Sequence, residues 1–495
     1  MTNRRDAILG LALGASALSS SSAPIRAQPA SAGPQTTRSV RDFGAVGDGR
    51  TDDTAAFNAA TRATATWREG DVPAAIHVPP GTYRIDGTIR LRKGQHLSGS
   101  GEASLIDATH ARGTTLTLGS DGAGRTDPGG FPVGVSRLRF LGGSASEPLI
   151  RVAAAGFSLS HLFITAPGTG VFIAGGDGVL TDITIDQALR GLVFEGAQNV
   201  IVQGLVSYLA NYALTLDARS SDIVVSQAVI AYSRIASVLF AEGAQGIRSV
   251  RFGDCNLLSN EGYDGFLGHV HVRSEQPDAQ FANCSFRNAP GFAVRQEAGS
   301  GAQLAFTGCV FDGSRSRDDY NASATAGGIL TGAGARIHLA DCHFRNLSQE
   351  AVRIGPYLDR LVLSGGSIRD CAGHSIVSAA DAGGELAVRA VDGFGRRFDR
   401  GALVLPWRGA ATHWRVTART SSGDGAIASA DCAVVRSGRR QVVLLQPTAS
   451  LGADLSLSAG FGEGPGGPNA IAGAESGFLC LSTSRRDVVW SAETG

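Results

Sequence analysis

The chain has 495 residues, 43% of them hydrophobic, and 44 basic against 44 acidic side chains give a formal net charge of zero. That is enough apolar material for a large core, and with no basic surplus to neutralise phosphates it excludes a nucleic-acid partner. The 67 glycines favour many tight bends over long helices, and a lone lysine, Lys93, leaves almost no candidate for lysine-dependent chemistry.

The first element in chain order is an export signal over residues 1–27. Arg4-Arg5 precede an apolar run from Ala7 to Leu18, and Ile25-Arg26-Ala27 offers a cleavage site. The twin arginine points to the export route for folded proteins, so a periplasmic or secreted location is expected. The apolar run is too short to span a bilayer and no later segment reads as a transmembrane helix, so no stable membrane insertion is expected. Residues 28–38 read as a linker. The segment Asp42-Phe-Gly-Ala-Val-Gly-Asp-Gly-Arg-Thr-Asp-Asp-Thr-Ala-Ala-Phe57 follows, with Thr51 or Asp52 placed to cap a helix through Ala56, Phe57 and Ala60. A strand Ala75-Ile-His-Val78 and a turn Pro79-Pro80-Gly81-Thr82-Tyr83 come next.

From residue 135 a six-residue unit recurs ten times. It begins at Val135, Leu159, Leu180, Val202, Val225, Phe252, Phe281, Phe306, Leu339 and Leu363, at intervals of 21 to 33 residues. Apolar residues hold the first, fourth and sixth places almost throughout. A short strand repeated at that period implies a solenoid whose coils share one core. Four cysteines, Cys255, Cys284, Cys309 and Cys342, occupy the fourth place, which Leu138, Leu162, Ile183, Leu205 and Ala228 hold earlier. They therefore read as small core hydrophobes. No Cys-x-x-Cys pair exists to suggest a zinc site. Asn260, Asn288, Asn346 and Asp370 close related repeats and suit left-handed bends.

Each coil carries a second strand: Leu192-Val-Phe-Glu195, Leu214-Thr-Leu-Asp217, Val238-Leu-Phe-Ala241, Val270-His-Val-Arg273, Phe292-Ala-Val-Arg295 and Val352-Arg-Ile-Gly355. Alternation turns the first and third residues inward and the second and fourth to solvent. This reading stacks Glu195 on Asp217 and Arg273 on Arg295, with His271 beside Arg273. Tyr212, Tyr263 and Asp264 come from the preceding loops, Arg353 lies further along, and the insertion 314–320 forms a wall. About a dozen coils at about 4.8 Å give a face on the order of 55 Å long, which suits a polymer. After about residue 395 the repeat fades. Leu403-Val-Leu, His413-Trp-Arg-Val, Gln441-Val-Val-Leu-Leu and Leu455-Ser-Leu then read as strands of a C-terminal β module over 396–495, a candidate for capping the open end, for oligomer contacts or for sugar binding.

The Asp42–Phe57 segment resembles the N-terminal segment of the pectin-lyase-like superfamily, and the repeat pattern extends the resemblance over roughly residues 39–395. The resemblance implies an all-β fold, a right-handed parallel β-helix with an N-terminal capping helix. It also implies membership among lyases, polygalacturonases, glucanases, mannuronan epimerases and phage tailspikes. An exported protein acting on an acidic polysaccharide is expected, with β-elimination preferred. Arg273 or Arg295 would grip a uronate carboxylate, and Tyr263 or His271 would act as base or acid. Glu195, Asp217, Tyr212, Asp264 and Arg353 would bind substrate. Glu195 and Asp217 are also the candidates for a calcium ion. An epimerase could use the same layout. A hydrolase would use Glu195 and Asp217 about 5 Å apart, the retaining separation. The chain lacks the Asn-Thr-Asp, Gly-His-Gly and Arg-Ile-Lys signatures of polygalacturonases and the Trp-x-Asp-His pattern of pectate lyases. The remaining alternatives are a non-catalytic glycan binder and a plain surface on which Arg273 and Arg295 pair with Glu275 and Glu297. His269 and His271, two apart on a strand, are a further candidate pair of metal ligands.

Overall fold

The computed structural model describes residues 37–64, 74–119, 132–259, 265–297, 301–313, 326–355 and 358–369, and beyond them the backbone of strands between Ile376 and Thr494. The export signal and almost all of the linker lie outside the described residues, as do Asn260, Tyr263, Asp264, Asp370 and the insertion 314–320. Among the described residues the strands form a twenty-seven-stranded sheet, a twelve-stranded sheet and a three-stranded sheet. Through the coils every pairing is parallel: Leu159 pairs with Leu180, Leu180 with Val202, and Val202 with Val225. The fold is the right-handed parallel β-helix. Among the described residues no helix is long and apolar enough to cross a membrane.

The six-residue unit straddles a bend, and its third place makes the bend. Arg137, His161, Asp182, Gln227, Asp254, Asn283 and Asp341 all have φ between 51° and 54°, and Gly204, Gly308 and Gly365 have φ of 71°, 62° and 68°. Every one of the ten units is therefore left-handed there. That conformation costs an ordinary L-residue roughly 1–2 kcal/mol, and Gly, Asn and Asp bear it best. Seven of the ten third places are one of those three residues. Asn288 and Asn346 (φ 52° and 55°) make a second bend, as their type suggested.

The first, fourth and sixth places fill the interior. Phe252, Phe281 and Phe306 stack with centroids 4.7 and 4.9 Å apart. Phe286, Phe311 and Phe344 form a second stack at 4.8 and 4.6 Å. Between the two stacks run Leu205, Ala228, Cys255, Cys284, Cys309 and Cys342, all buried. Their succession is fixed by the amides that follow them: Val229 donates to the Leu205 carbonyl, Asn256 to Ala228, Ser285 to Cys255, Val310 to Cys284 and His343 to Cys309. Each buried phenylalanine contributes about 1.5–3 kcal/mol of transfer free energy, and each stacked pair adds about 0.5–1.5 kcal/mol.

At the N-terminal end the acidic motif works as a brace. The buried Asp53 carboxylate accepts from the Val46 and Gly47 amides at 2.7 and 3.1 Å. Asp53, rather than Thr51 or Asp52, is the N-cap of the helix Thr54–Ala63, and its side chain makes no cap bond because the loop holds it. Asp52 takes up the Thr54 amide instead, at 3.0 Å. The helix buries Ala56, Phe57 and Ala60 over the first coil, with Phe57 edge-on to Tyr83 at 5.4 Å. At the other end the strand Val488–Thr494 pairs antiparallel with the strand Glu385–Asp392 of the larger sheet, so a sheet edge that could template aggregation is covered.

Candidate functional site

The twelve-stranded sheet carries the candidate residues on its outer face. One outward column runs Phe172, Val193, Thr215, Leu239, His271, Arg295, Leu330, Arg353. The expected stacking of Arg295 on Arg273 is therefore corrected: Arg295 stacks on His271. The physical reason is Gln296. It fills an inward place opposite Val272 and is buried there, so the strand has shifted by two residues from the apolar pattern of Phe292-Ala-Val-Arg295. The next column runs Glu195, Asp217, Ala241, Arg273, Glu297, as their amides show by donating to Ile173, Phe194, Leu216, Phe240 and Val272 in turn. A second correction concerns solvent: Val193, Thr215, Leu239 and His271 point away from the interior yet are buried.

Glu297 is the hub. His271 Nε2 donates to Glu297 Oε1 at 2.8 Å, and Arg273 Nε donates to Glu297 Oε2 at 3.3 Å. Arg273 Nη2 also meets Glu242 Oε2 at 2.5 Å. Against burial, which would raise it, the His271 hydrogen bond and the Arg273 charge hold the Glu297 carboxyl below its ordinary range. A carboxylate only accepts, so His271 carries its proton on Nε2. Its Nδ1 is then a bare lone pair, and that atom is buried without a hydrogen-bond partner. Burial pulls the His271 pKa down, opposed by Glu297 and reinforced by Arg295 and Arg273. The imidazole is thus neutral near pH 7.

The remaining candidates divide. Arg295 is exposed and stacks on the imidazole strand. Arg353 pairs with Glu350 at 2.8 Å and lies 5.0 Å over the Phe292 ring. Tyr212, half-buried, heads the strand Tyr212–Leu216. Glu195 and Asp217 occupy adjacent coils, as expected, with Asp217 Oδ1 accepting from the Ala218 amide at 2.7 Å. Among the described residues no three His, Cys, Asp or Glu side chains converge on a metal position. Calcium takes about six to eight oxygens, so these two carboxylates alone do not build its site. Nor do His269 and His271 converge. His269 turns inside, where Ser237 Oγ meets its Nδ1 at 3.1 Å and the Arg287 carbonyl accepts from Nε2 at 2.8 Å. Glu275 goes to Gln245 rather than to Arg273. Glu242, absent from the sequence reading, enters from a turn one coil away and carries no local signal.

Comparison with known proteins agrees with this architecture. A family model described as rhamnogalacturonase A/epimerase, pectate lyase-like, matches residues 37–134. The A-module of mannuronan C-5 epimerase AlgE6 from Azotobacter vinelandii superposes with a TM-score of 0.53 at 18% identity, covering 69% of this chain and 99% of that one. The AlgE4 A-module from the same organism gives 0.53 at 16% identity, covering 70% and 98%. A probable glucan endo-1,3-beta-glucosidase of Arthroderma benhamiae is 43% identical over 63 residues, which is 12% of this chain and only 7% of that protein's length. The chain carries the pectin-lyase-like β-helix.

Proposed function

We propose that this protein is an exported enzyme acting on an acidic polysaccharide laid along the outer face of the twelve-stranded sheet, and that it cleaves uronate linkages by β-elimination. The observation that carries this reading is the group His271–Glu297–Arg273 with Arg295 stacked beside it. Arg295 pairs with the uronate carboxylate and stabilises the charge that develops there. Tyr263, the other base that the sequence offers, removes the proton from the carbon beside the carboxylate, since His271 is buried and holds Glu297 in place from beneath. That electron pair forms the new carbon–carbon double bond, the bond to the linking oxygen breaks, and the leaving oxygen takes up a proton. Arg273, held between Glu242 and Glu297, keeps Glu297 ionised. A second reading has its own support: Glu195 and Asp217 stand one coil apart, about 5 Å, the spacing of a retaining glycosidase pair.

The test is a panel of uronate polymers given to the protein matured after Ala27. Unsaturated products absorbing in the ultraviolet mean elimination. New reducing ends without that band mean hydrolysis, and C-5 inversion without cleavage means epimerisation. Polymer retained but unchanged means a binding protein, and that result would end the enzymatic reading.

A further inference from the structure

A cluster of metal-ligating side chains lies away from the outer face, inside the coils. Cys255, Cys284, Cys309 and Cys342 are free, buried thiols on four successive coils. Each sulfur makes the same two contacts. One is to the carbonyl two residues before it (Gly253, Ala282, Thr307, Ala340) at 3.2–3.6 Å. The other is to a carbonyl one coil back (Val225, Phe252, Phe281, Phe306) at 3.4–3.7 Å. Identical partners mean identical rotamers, so the sulfurs repeat at the rise of the coil. The flanking phenylalanine stacks measure that rise as 4.6–4.9 Å.

Two metal–thiolate bonds of about 2.3 Å laid end to end span about 4.6 Å. A linear sulfur–metal–sulfur bridge therefore fits between neighbouring coils with the backbone in place. A disulfide does not fit, because it needs its sulfurs about 2 Å apart. No three metal-capable side chains converge among the described residues, so a tetrahedral ion such as zinc has no site here, whereas soft ions that accept two thiolates do. Each thiol carries a proton that an incoming ion must displace, which strongly thiophilic ions do. With a divalent ion the balance is two thiols plus one ion giving one bridge and two protons. The bridge is neutral, and a neutral group costs far less to bury than a charge.

We propose that the cysteine ladder takes up two soft, two-coordinate metal ions, one between Cys255 and Cys284 and one between Cys309 and Cys342. Mercury(II) is the probe. The full chain, with Cys371, Cys432 and Cys480 replaced by serine, is exposed to it both when folded and during refolding, then passed through a desalting column. Native mass spectrometry is expected to count two ions per chain, and X-ray absorption to find two sulfurs at about 2.3 Å around each. Cys284→Ala should retain one ion. Alanine suits the place, since Ala228 already holds it, buried, two coils earlier. No retained ion in either arm, two ions still bound by Cys284→Ala, or three or more sulfurs around each ion would overturn the assignment. The absorption spectrum of the unsubstituted ladder decides the case even if the alanine variant fails to fold.

Discussion

Acid should destabilise this protein through one interior histidine. His269 is fully buried among Phe266, Phe286 and Ser237, and burial pushes its pKa from 6.5 down to about 4, with the Arg287 carbonyl opposing. Above pH 6.5 the ring is neutral in both the folded and the unfolded chain, and its contribution is fully present. As the pH falls from 6.5 towards 4, the unfolded chain binds a proton that the folded chain refuses, so stability is lost. Below about 4 both states are protonated and the loss stops. A fall from 6.5 to about 4 corresponds to about 3 kcal/mol. His96 and His271 are also held down by burial and add to the same slope, so the measurement is a difference. Urea unfolding of the wild type and of His269→Leu, followed by circular dichroism from about pH 7.5 to about pH 4, should give curves that converge by about 3 kcal/mol in acid. Parallel curves would refute the reasoning.

Asp254 sits at φ 54°, so Asp254→Val should cost about 1–2 kcal/mol in a urea melt while Asp254→Gly should be close to neutral. Phe306 is buried between Phe281 and the ring pair Phe286 and Phe311, and Phe306→Ala should cost about 3–5 kcal/mol. A β-carbon on Gly328 would lie 2.1 Å from the Ala351 carbonyl oxygen. Gly328→Ala should therefore lower stability by about 1–3 kcal/mol, read as a lower melting temperature. On the polymer that proves to be the substrate, Tyr263→Phe should lower kcat about a hundredfold or more by removing the base. Arg295→Ala should raise KM, and full activity in both variants would remove this site.

The coil was legible because its cause is local and repeated. Apolar first, fourth and sixth places and a run of phenylalanines mark an inward stripe in any window of the chain. The bend at the third place was equally present in the letters, as Asp, Asn and Gly, but its meaning came from φ. The site was legible only in part. Glu195 and Asp217 could be stacked from alternation alone, since nothing interrupts the pattern between Leu192 and Asp217. Just past Arg295 an inward Gln296 imitates an outward residue, and alternation then places Arg295 one partner too far along.

Composition and periodicity by themselves determined that this chain winds into stacked parallel coils with a cysteine and phenylalanine interior, because burying apolar side chains at a fixed period has one economical solution. Tertiary structure alone decided that Glu297 and Glu242 meet Arg273, that His271 faces out while His269 turns in, and that Arg295 stacks on His271. Those outcomes depend on register between strands separated by loops of unequal length, and backbone hydrogen bonds between coils, rather than neighbours in the chain, set that register.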